Sequence, residues 1–391
     1  MINNLDNESK RRVLLAYIIF IGNGMLAVSV GSLLPFIRAA RGISYELAGF
    51  MVSLHSCGNL FACFITGMLP GIVGKKNSIL IMNAFLAISY ALILVGGPNW
   101  LVAVAFFCMG MARGASSNFL NPYINNIAPG NAQILNGLHA MFCIGALIFP
   151  IIVMLITSVS ESAWIYACVF MVIMGIISWL LYHKLPVDEA GTVVVKKEKN
   201  YGFFKEKLFY VIFACLFFYL CAEQGIIGWM VSYFKDTGLL REPFASASAT
   251  IQWTMMLAGR LLTAYLSTKI DKKKMLPVMG ISLVIFFVIL LVAKTPALIV
   301  LGIMGVGFSM AGIYPTVVSF GGNLIKDYPL GWSYLLTSAS LGSIIMPSVI
   351  GKVAETAGIA TGISTIIFAV FVELIALFVL VRFIKKQEQA A

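Results

Sequence analysis

Apolar and polar positions along this chain fall in blocks rather than in alternating faces. Runs of about 20 apolar residues, enough at a rise of about 1.5 Å per residue to cross a hydrocarbon core of about 30 Å, recur along the sequence. Twelve can be traced, near residues 13–36, 45–69, 78–97, 100–124, 134–157, 163–184, 206–234, 245–268, 274–293, 296–320, 330–353 and 360–383. Each predicts one helix. The longest polar interval, "PVDEAGTVVVKKEKNYGFFKEK" from Pro186 to Lys207, leaves six runs on either side. It predicts an N-terminal six-helix bundle over 1–185, a linker over 186–205 and a C-terminal six-helix bundle over 206–391. Lys10, Arg11 and Arg12 precede the first run, but that run is long and lacks a small-residue cleavage site, so it reads as a retained span.

Composition agrees with the pattern. The 391 residues are 60% hydrophobic and 11% charged, with a mean hydropathy of +0.95. One soluble core cannot hide that much apolar surface, so the fold class is an all-α membrane protein with 12 transmembrane helices.

The net charge of +11 raises the prospect of nucleic-acid binding, and the topology removes it. With a cytoplasmic N-terminus, nineteen Lys and Arg fall on the cytoplasmic side, among them Lys75, Lys76, Lys196, Lys197, Lys199, Lys272, Lys273, Lys274 and Lys326. Six fall on the other side, and Arg113 and Arg260 lie within spans. This is a positive-inside signature with both termini cytoplasmic, the orientation of a protein in the plasma membrane, in bacteria the inner membrane.

All seven cysteines lie in predicted spans and read as small hydrophobes, so no disulfide is expected. Their spacing suits neither a metal nor a haem, and GxxxxGK[ST] does not occur. No cofactor or metal is expected, and without a nucleophile or phosphate constellation an enzyme is the least favoured class.

The two halves echo each other. "NPYINNIAPGNAQILNGLHAMFCIGALIFP" (Asn121 to Pro150) is similar to "YPTVVSFGGNLIKDYPLGWSYLLTSASLGSIIMP" (Tyr314 to Pro347). In each, a Pro near the end of span four or ten is followed one loop later by "IGALIFP" or "LGSIIMP". Such repeats predict pseudo-symmetric bundles of the kind transporters use. A second echo pairs "GMLPGIVGKKNSIL" after span two with "GRLLTAYLSTKIDKKKML" after span eight.

Twelve spans, a long central loop and these Gly-plus-basic loops resemble the major facilitator superfamily. The first loop departs from the family motif, with Gly71 and Ile72 where an Asp and an Arg are usual; the second, with Gly259, Arg260 and Asp271, fits better. Within the superfamily, "NPY…LNGLHAMFCIGALIFP", "YLCAEQGIIGWMVSYF" and "GIYPTVVSF" resemble the fucose permease-like sugar:proton symporters. That pattern places an Asp in span one and a Glu in span four; this chain has Gly31 and Ser117 there.

The resemblance implies that spans 1, 4, 7 and 10 line the solute path. Two carboxylates lie well inside spans: Glu223 in span seven, expected on the path, and Glu373 in span twelve, expected to be structural. Proton coupling is assigned to Glu223, with His139 as the alternative because its reference pKa is about 6.5. The substrate-binding candidates are Asn23, His55, Asn118, Asn121, Asn125, Asn136, His139, Glu223, Gln224, Trp229, Gln252 and Tyr314. Asn126 belongs with the span-four amides. Amides offer donors and acceptors to hydroxyl groups, and an aromatic face packs on the C–H side of a sugar ring. Roughly half of these residues are expected to join helices instead. Arg113, Arg260 and Asp271 are gating candidates, and the arginines could also meet an anionic solute.

The function these residues favour is secondary transport of a small polar solute, a sugar first, driven by a proton or other coupling ion through alternating access. The partners are that solute, the ion and the lipid bilayer, and the protein is expected to be a monomer. A proton-driven exporter of lipophilic compounds, suggested by the many Met and Phe residues, and a transporter-like sugar sensor are the alternatives.

Overall fold

A computed structural model describes residues 5–128, 132–187, 201–322 and 328–390. Most of the expected linker and the basic residues Lys196, Lys197, Lys199 and Lys326 lie outside the described residues. Secondary structure among the described residues is helical throughout. In chain order α1 spans Asn7–Arg41, α2 Tyr45–Met68, α3 Lys75–Val95, α4 Asn99–Ile127, α5 Ala132–Val159 and α6 Trp164–Lys184. Then come α7 Lys207–Asp236, α8 Phe244–Leu266, α9 Lys272–Val292 and α10 Pro296–Met310. The last are α11 Ile313–Ser319, α12 Pro329–Ala339, α13 Leu341–Ala357, α14 Ile359–Ser364 and α15 Ile366–Ala390.

Eleven stretches among the described residues are long and apolar enough to cross a membrane. The twelfth place is taken by α8, whose 23 residues include Ser246, Ser248, Thr250, Gln252 and Arg260. The last three spans, drawn from sequence as single runs, are broken helices: α10 gives way to α11 at Ala311–Gly312, α12 to α13 at Ser340, and α14 to α15 at Thr365. The first break lies against α8, where a Cβ on Gly312 would lie 2.4 Å from Thr263 Oγ1.

Local chemistry sets other ends. Asp6 caps α1, its Oδ1 accepting from Glu8 N at 2.9 Å and Ser9 N at 3.0 Å. Gly42, at φ 59°, closes the same helix in the left-handed conformation that glycine adopts without strain. Large apolar side chains such as Leu14, Phe61, Ile173, Val288 and Phe378 remain exposed, the surface expected where hydrocarbon rather than water is the solvent.

The chain divides into two compact units. The first comprises Met1–Ser44, Phe50–Val194 and Glu242–Thr250; the second comprises Tyr45–Gly49, Val195–Arg241 and Ile251–Ala391. In the first, Val13, Ile19, Phe20, Leu120, Ile124, Leu138 and Tyr182 form a core joining α1, α4, α5 and α6.

The echo in sequence becomes a repeated contact. A Cβ on Gly145 of α5 would lie 1.9 Å from the Ile21 carbonyl oxygen of α1; one on Gly342 of α13 would lie 2.2 Å from the Phe217 carbonyl oxygen of α7. The glycines of "IGALIFP" and "LGSIIMP" therefore let corresponding helix pairs touch backbone to backbone. The same holds elsewhere. Gly110 of α4 meets the His55 carbonyl oxygen of α2, and Gly307 of α10 meets that of Gln252 in α8, at 1.9 and 2.6 Å from the would-be Cβ.

Candidate solute-binding and coupling residues

The first unit is amide-rich and lacks membrane-embedded acids among its described helices. Close packing of α1 on α4 lets Asn23 donate its Nδ2 to Ser117 Oγ at 3.1 Å, while Asn23 Oδ1 is buried without a partner among the described residues. Ser117, the residue at the position where the symporter pattern carries Glu, therefore serves as a neutral acceptor. Asn121 donates to the Ser117 carbonyl at 2.9 Å and keeps a buried Oδ1 without a partner among the described residues. Asn118 donates to Thr66 Oγ1 at 3.3 Å.

Asn118 also lines a cavity of about 850 Å³ within this unit. Its walls carry Thr66, Ser78, Asn83, Ser116 and Asn126, with Arg12 and Lys75 as the basic members. Asn83 donates to Ser116 Oγ at 3.4 Å, and its Oδ1 is buried without a partner among the described residues. Asn83 was missed from sequence, although the signal was there: it is a lone amide in an apolar span, the feature that marked Asn23.

The remaining candidates of this unit are dispersed. His55 is buried, with Nε2 lacking a partner among the described residues, and lies within electrostatic reach of Arg113, itself half-buried. Asn125, Asn136 and His139 are exposed, and the His139 ring meets the edge of Phe20 at 5.9 Å.

The second unit holds both membrane-embedded carboxylates. Half-buried Glu223 accepts a hydrogen bond at Oε1 from Tyr219 Oη, 2.8 Å away and one helical turn earlier on α7. The i, i+4 spacing that makes this contact was legible in sequence, but Tyr219 was passed over. Tyr219 is buried and its ring lies 5.6 Å from that of Tyr314 on α11. Exposed Arg260 lies within electrostatic reach of Tyr219, as Glu223 does of Tyr314. These four residues form one cluster of alternating acid, phenol and guanidinium chemistry.

Gln224 is half-buried beside Glu223. Gln252 is buried, with Nε2 lacking a partner among the described residues. Trp229 is fully buried and donates its indole N–H to the Pro347 carbonyl at 3.2 Å, which fastens α7 to α13. Asp271 caps α9, accepting from Lys273 N at 2.9 Å, with Lys273 Nζ 3.4 Å away. The Lys273 backbone N–H and its ammonium hold the Asp271 carboxyl below the usual carboxylate range. Asp271 is thus engaged by Lys273.

The family model for the Major Facilitator Superfamily matches residues 13–327. The chain belongs to the major facilitator superfamily.

Relatives of this superfamily member match nearly its whole length. The glucose/mannose transporter GlcP of Bacillus subtilis (strain 168) is 21% identical over 386 residues, covering 92% of this chain and 94% of its own. A TsgA homolog of Yersinia pseudotuberculosis serotype O:1b (strain IP 31758) is also 21% identical, covering 95% and 96%. Among solved structures, a bacterial homolog of the human lysosomal transporter Spinster, in an inward-facing and occupied conformation, matches with a TM-score of 0.78. Its identity is 12%, over 95% of this chain and 96% of that one. The nucleoside transporter NupG matches at 0.73, with 16% identity over 97% and 99%. The likeness to the solved structures is one of fold: two helical units of the major facilitator kind. The protein is a multi-pass membrane transporter of the secondary class.

Proposed function

We propose that this major facilitator protein transports a small polyhydroxylated solute of the monosaccharide class, coupled to protons, by alternating access of bundles 1–185 and 206–391 joined by the linker 186–205. The observation that carries the reading is the set of buried amide oxygens of Asn23, Asn83 and Asn121, each without a partner among the described residues. A buried acceptor left unmatched costs about 1–3 kcal/mol, so such groups are supported by a ligand or water that donates to them. Hydroxyl groups donate and accept at once, and they match neutral amides without bringing a charge into the membrane. That the relative GlcP is a glucose/mannose transporter points the same way.

In this reading Glu223 is the proton-coupling carboxylate, oriented by Tyr219, and His139 is the alternative. Arg113, Arg260 and Asp271 act at the gate. The protein works as a monomer in the plasma membrane with both termini cytoplasmic. Purified protein in liposomes tests it: labelled monosaccharide accumulates inside when a pH gradient is imposed, and unlabelled sugars compete. Accumulation indifferent to the gradient removes the coupling. Thermal stabilisation by sugar without any transport makes the protein a sensor, and resistance to lipophilic compounds without sugar uptake makes it an exporter.

A further inference from the structure

The cavity of about 850 Å³ in the first unit is set apart from the contact between Asn23 and Ser117. On α4 its walls take Ser116, Asn118, Phe119 and Pro122. Ser117, about 100° round the helix from either neighbour in the chain, faces Asn23 of α1 instead. On α3 the walls take Lys75, Ser78, Ile79, Met82 and Asn83. That i, i+3, i+4, i+7, i+8 spacing is one face of a helix, so a single stripe runs from a lysine in the first turn to an amide about two turns deeper.

The chemistry changes along the stripe. At its outer end stand Lys75 and, from the start of α1, Arg12, and no carboxylate lines the cavity among the described residues. Glu8, which accepts from Arg12, is exposed and outside the lining. The start of α3 is at the same end, and Gly74 before it provides no side-chain cap. Cations and a helix N-terminus together favour an anion there.

The inner end is neutral. Asn83 is 2% exposed, donates its Nδ2 to Ser116 Oγ and keeps an Oδ1 without a partner among the described residues. Tyr182 of α6 is 1% exposed and stands beside Ser116, its hydroxyl also without a hydrogen-bond partner among the described residues. An unmatched acceptor next to an unmatched hydroxyl suits a ligand hydroxyl, which donates and accepts at once. Eight residues of α3 separate the two ends by about 12 Å at the backbone, a span that a lysine side chain and a sugar phosphate fill together.

We propose that this cavity binds a phosphate ester carrying free hydroxyl groups, with the phosphate at Lys75, Arg12 and the start of α3 and the hydroxyls at Asn83 Oδ1 and Tyr182 Oη. Two sources share that chemistry: the headgroup of phosphatidylglycerol in the bilayer and a soluble sugar phosphate. The walls come from α2, α3, α4 and α6, so an occupant ties four helices of one bundle together and stabilises it. The site goes beyond the transport reading and shares one residue with it, Asn83.

The test is thermal unfolding of the full chain purified in dodecyl maltoside. The soluble probes are glucose-6-phosphate, inorganic phosphate and glucose; the lipid probes, in mixed micelles, are phosphatidylglycerol and phosphatidic acid. The wild type is expected to be stabilised by glucose-6-phosphate or phosphatidylglycerol, and Lys75→Gln to weaken that binding about tenfold, the loss of one charge-assisted contact. Lys75→Arg, which keeps the cation, is expected to retain it, and this separates a lost contact from a damaged fold. Asn83→Ala is expected to weaken the hydroxylated esters about fivefold and to leave inorganic phosphate and phosphatidic acid unchanged, because these offer no free hydroxyl on the ester.

Stabilisation by phosphatidylglycerol and not by glucose-6-phosphate supports the site with the bilayer as its source, and the converse supports it with the soluble phase. Stabilisation by neither, equal stabilisation of wild type and Lys75→Gln, or an Asn83→Ala loss as large for phosphatidic acid as for phosphatidylglycerol overturns the proposal. Asn23→Ala is expected to leave the phosphate-ester binding at its wild-type strength. A protein that takes up no monosaccharide still shows or lacks this binding, so the two readings fail independently.

Discussion

In the first unit Asn23 of α1 donates to Ser117 of α4; at the corresponding place in the second, the ring of Tyr219 on α7 lies 5.6 Å from that of Tyr314 on α11. The helix pair is the same, and so are the glycines that bring neighbours close: Gly145 and Gly342, Gly110 and Gly307, Gly58 against the Phe107 carbonyl oxygen and Gly259 against that of Phe308. What differs is the chemistry mounted on the repeated frame. The first unit offers neutral amides with unmatched oxygens. The second offers phenols, a guanidinium and both membrane-embedded acids. Duplicated packing with diverged polar groups suits a transporter in which one bundle recognises the solute and the other handles the coupling ion.

The largest expected effect breaks this division at its acid. Glu223→Gln should abolish gradient-driven accumulation while sparing exchange, measured as labelled-sugar uptake with and without a pH gradient; retained accumulation would move coupling to His139.

The frame comes next. Gly110→Ala drives a Cβ to 1.9 Å from a backbone oxygen, and Gly307→Ala to 2.6 Å, so neither contact can relax by turning a side chain. Thermal unfolding should show Gly110→Ala costing about 3 kcal/mol and Gly307→Ala about 1 kcal/mol, the order in which backbone contacts are violated. Equal costs would mean that the first unit relaxes as readily as the second.

A smaller effect is expected at the amides. Asn23→Ala removes one neutral hydrogen bond and one acceptor, worth about 1 kcal/mol, and should raise the sugar KM roughly fivefold with little change in the response to pH. Tyr219→Phe should do the reverse, shifting the pH profile of uptake and leaving the KM close to wild type.

The smallest lies outside the membrane, at Asp271. Its carboxyl is held below the ordinary range by Lys273, so it contributes to stability above its unfolded pKa and loses that contribution as pH falls through the folded value. Thermal unfolding of Asp271→Asn should therefore differ from wild type near neutrality and converge with it in acid.

Much of the fold was legible because the bilayer imposes it. Length and apolarity alone mark a span, and the glycine echo at Gly145 and Gly342 could be seen before its contacts were known. The site was less legible. Asn23 and Glu223 were found because a polar group in an apolar run is costly. Sequence put Trp229 on the solute path, and its place between α7 and α13 is a fact of helix rotation that composition does not carry. Tyr219 was overlooked because a phenol in an apolar segment looks like core.

By itself the sequence determined that the chain crosses a membrane many times, in two related halves, since backbone hydrogen bonding in hydrocarbon leaves helices as the solution for segments of this length. Tertiary structure decided which polar groups meet. Whether Glu373 meets a hydrogen-bond partner depends on how α15 is rotated against α7, an angle set by Gly225, Ile366, Phe218 and Phe368 together rather than by any one of them.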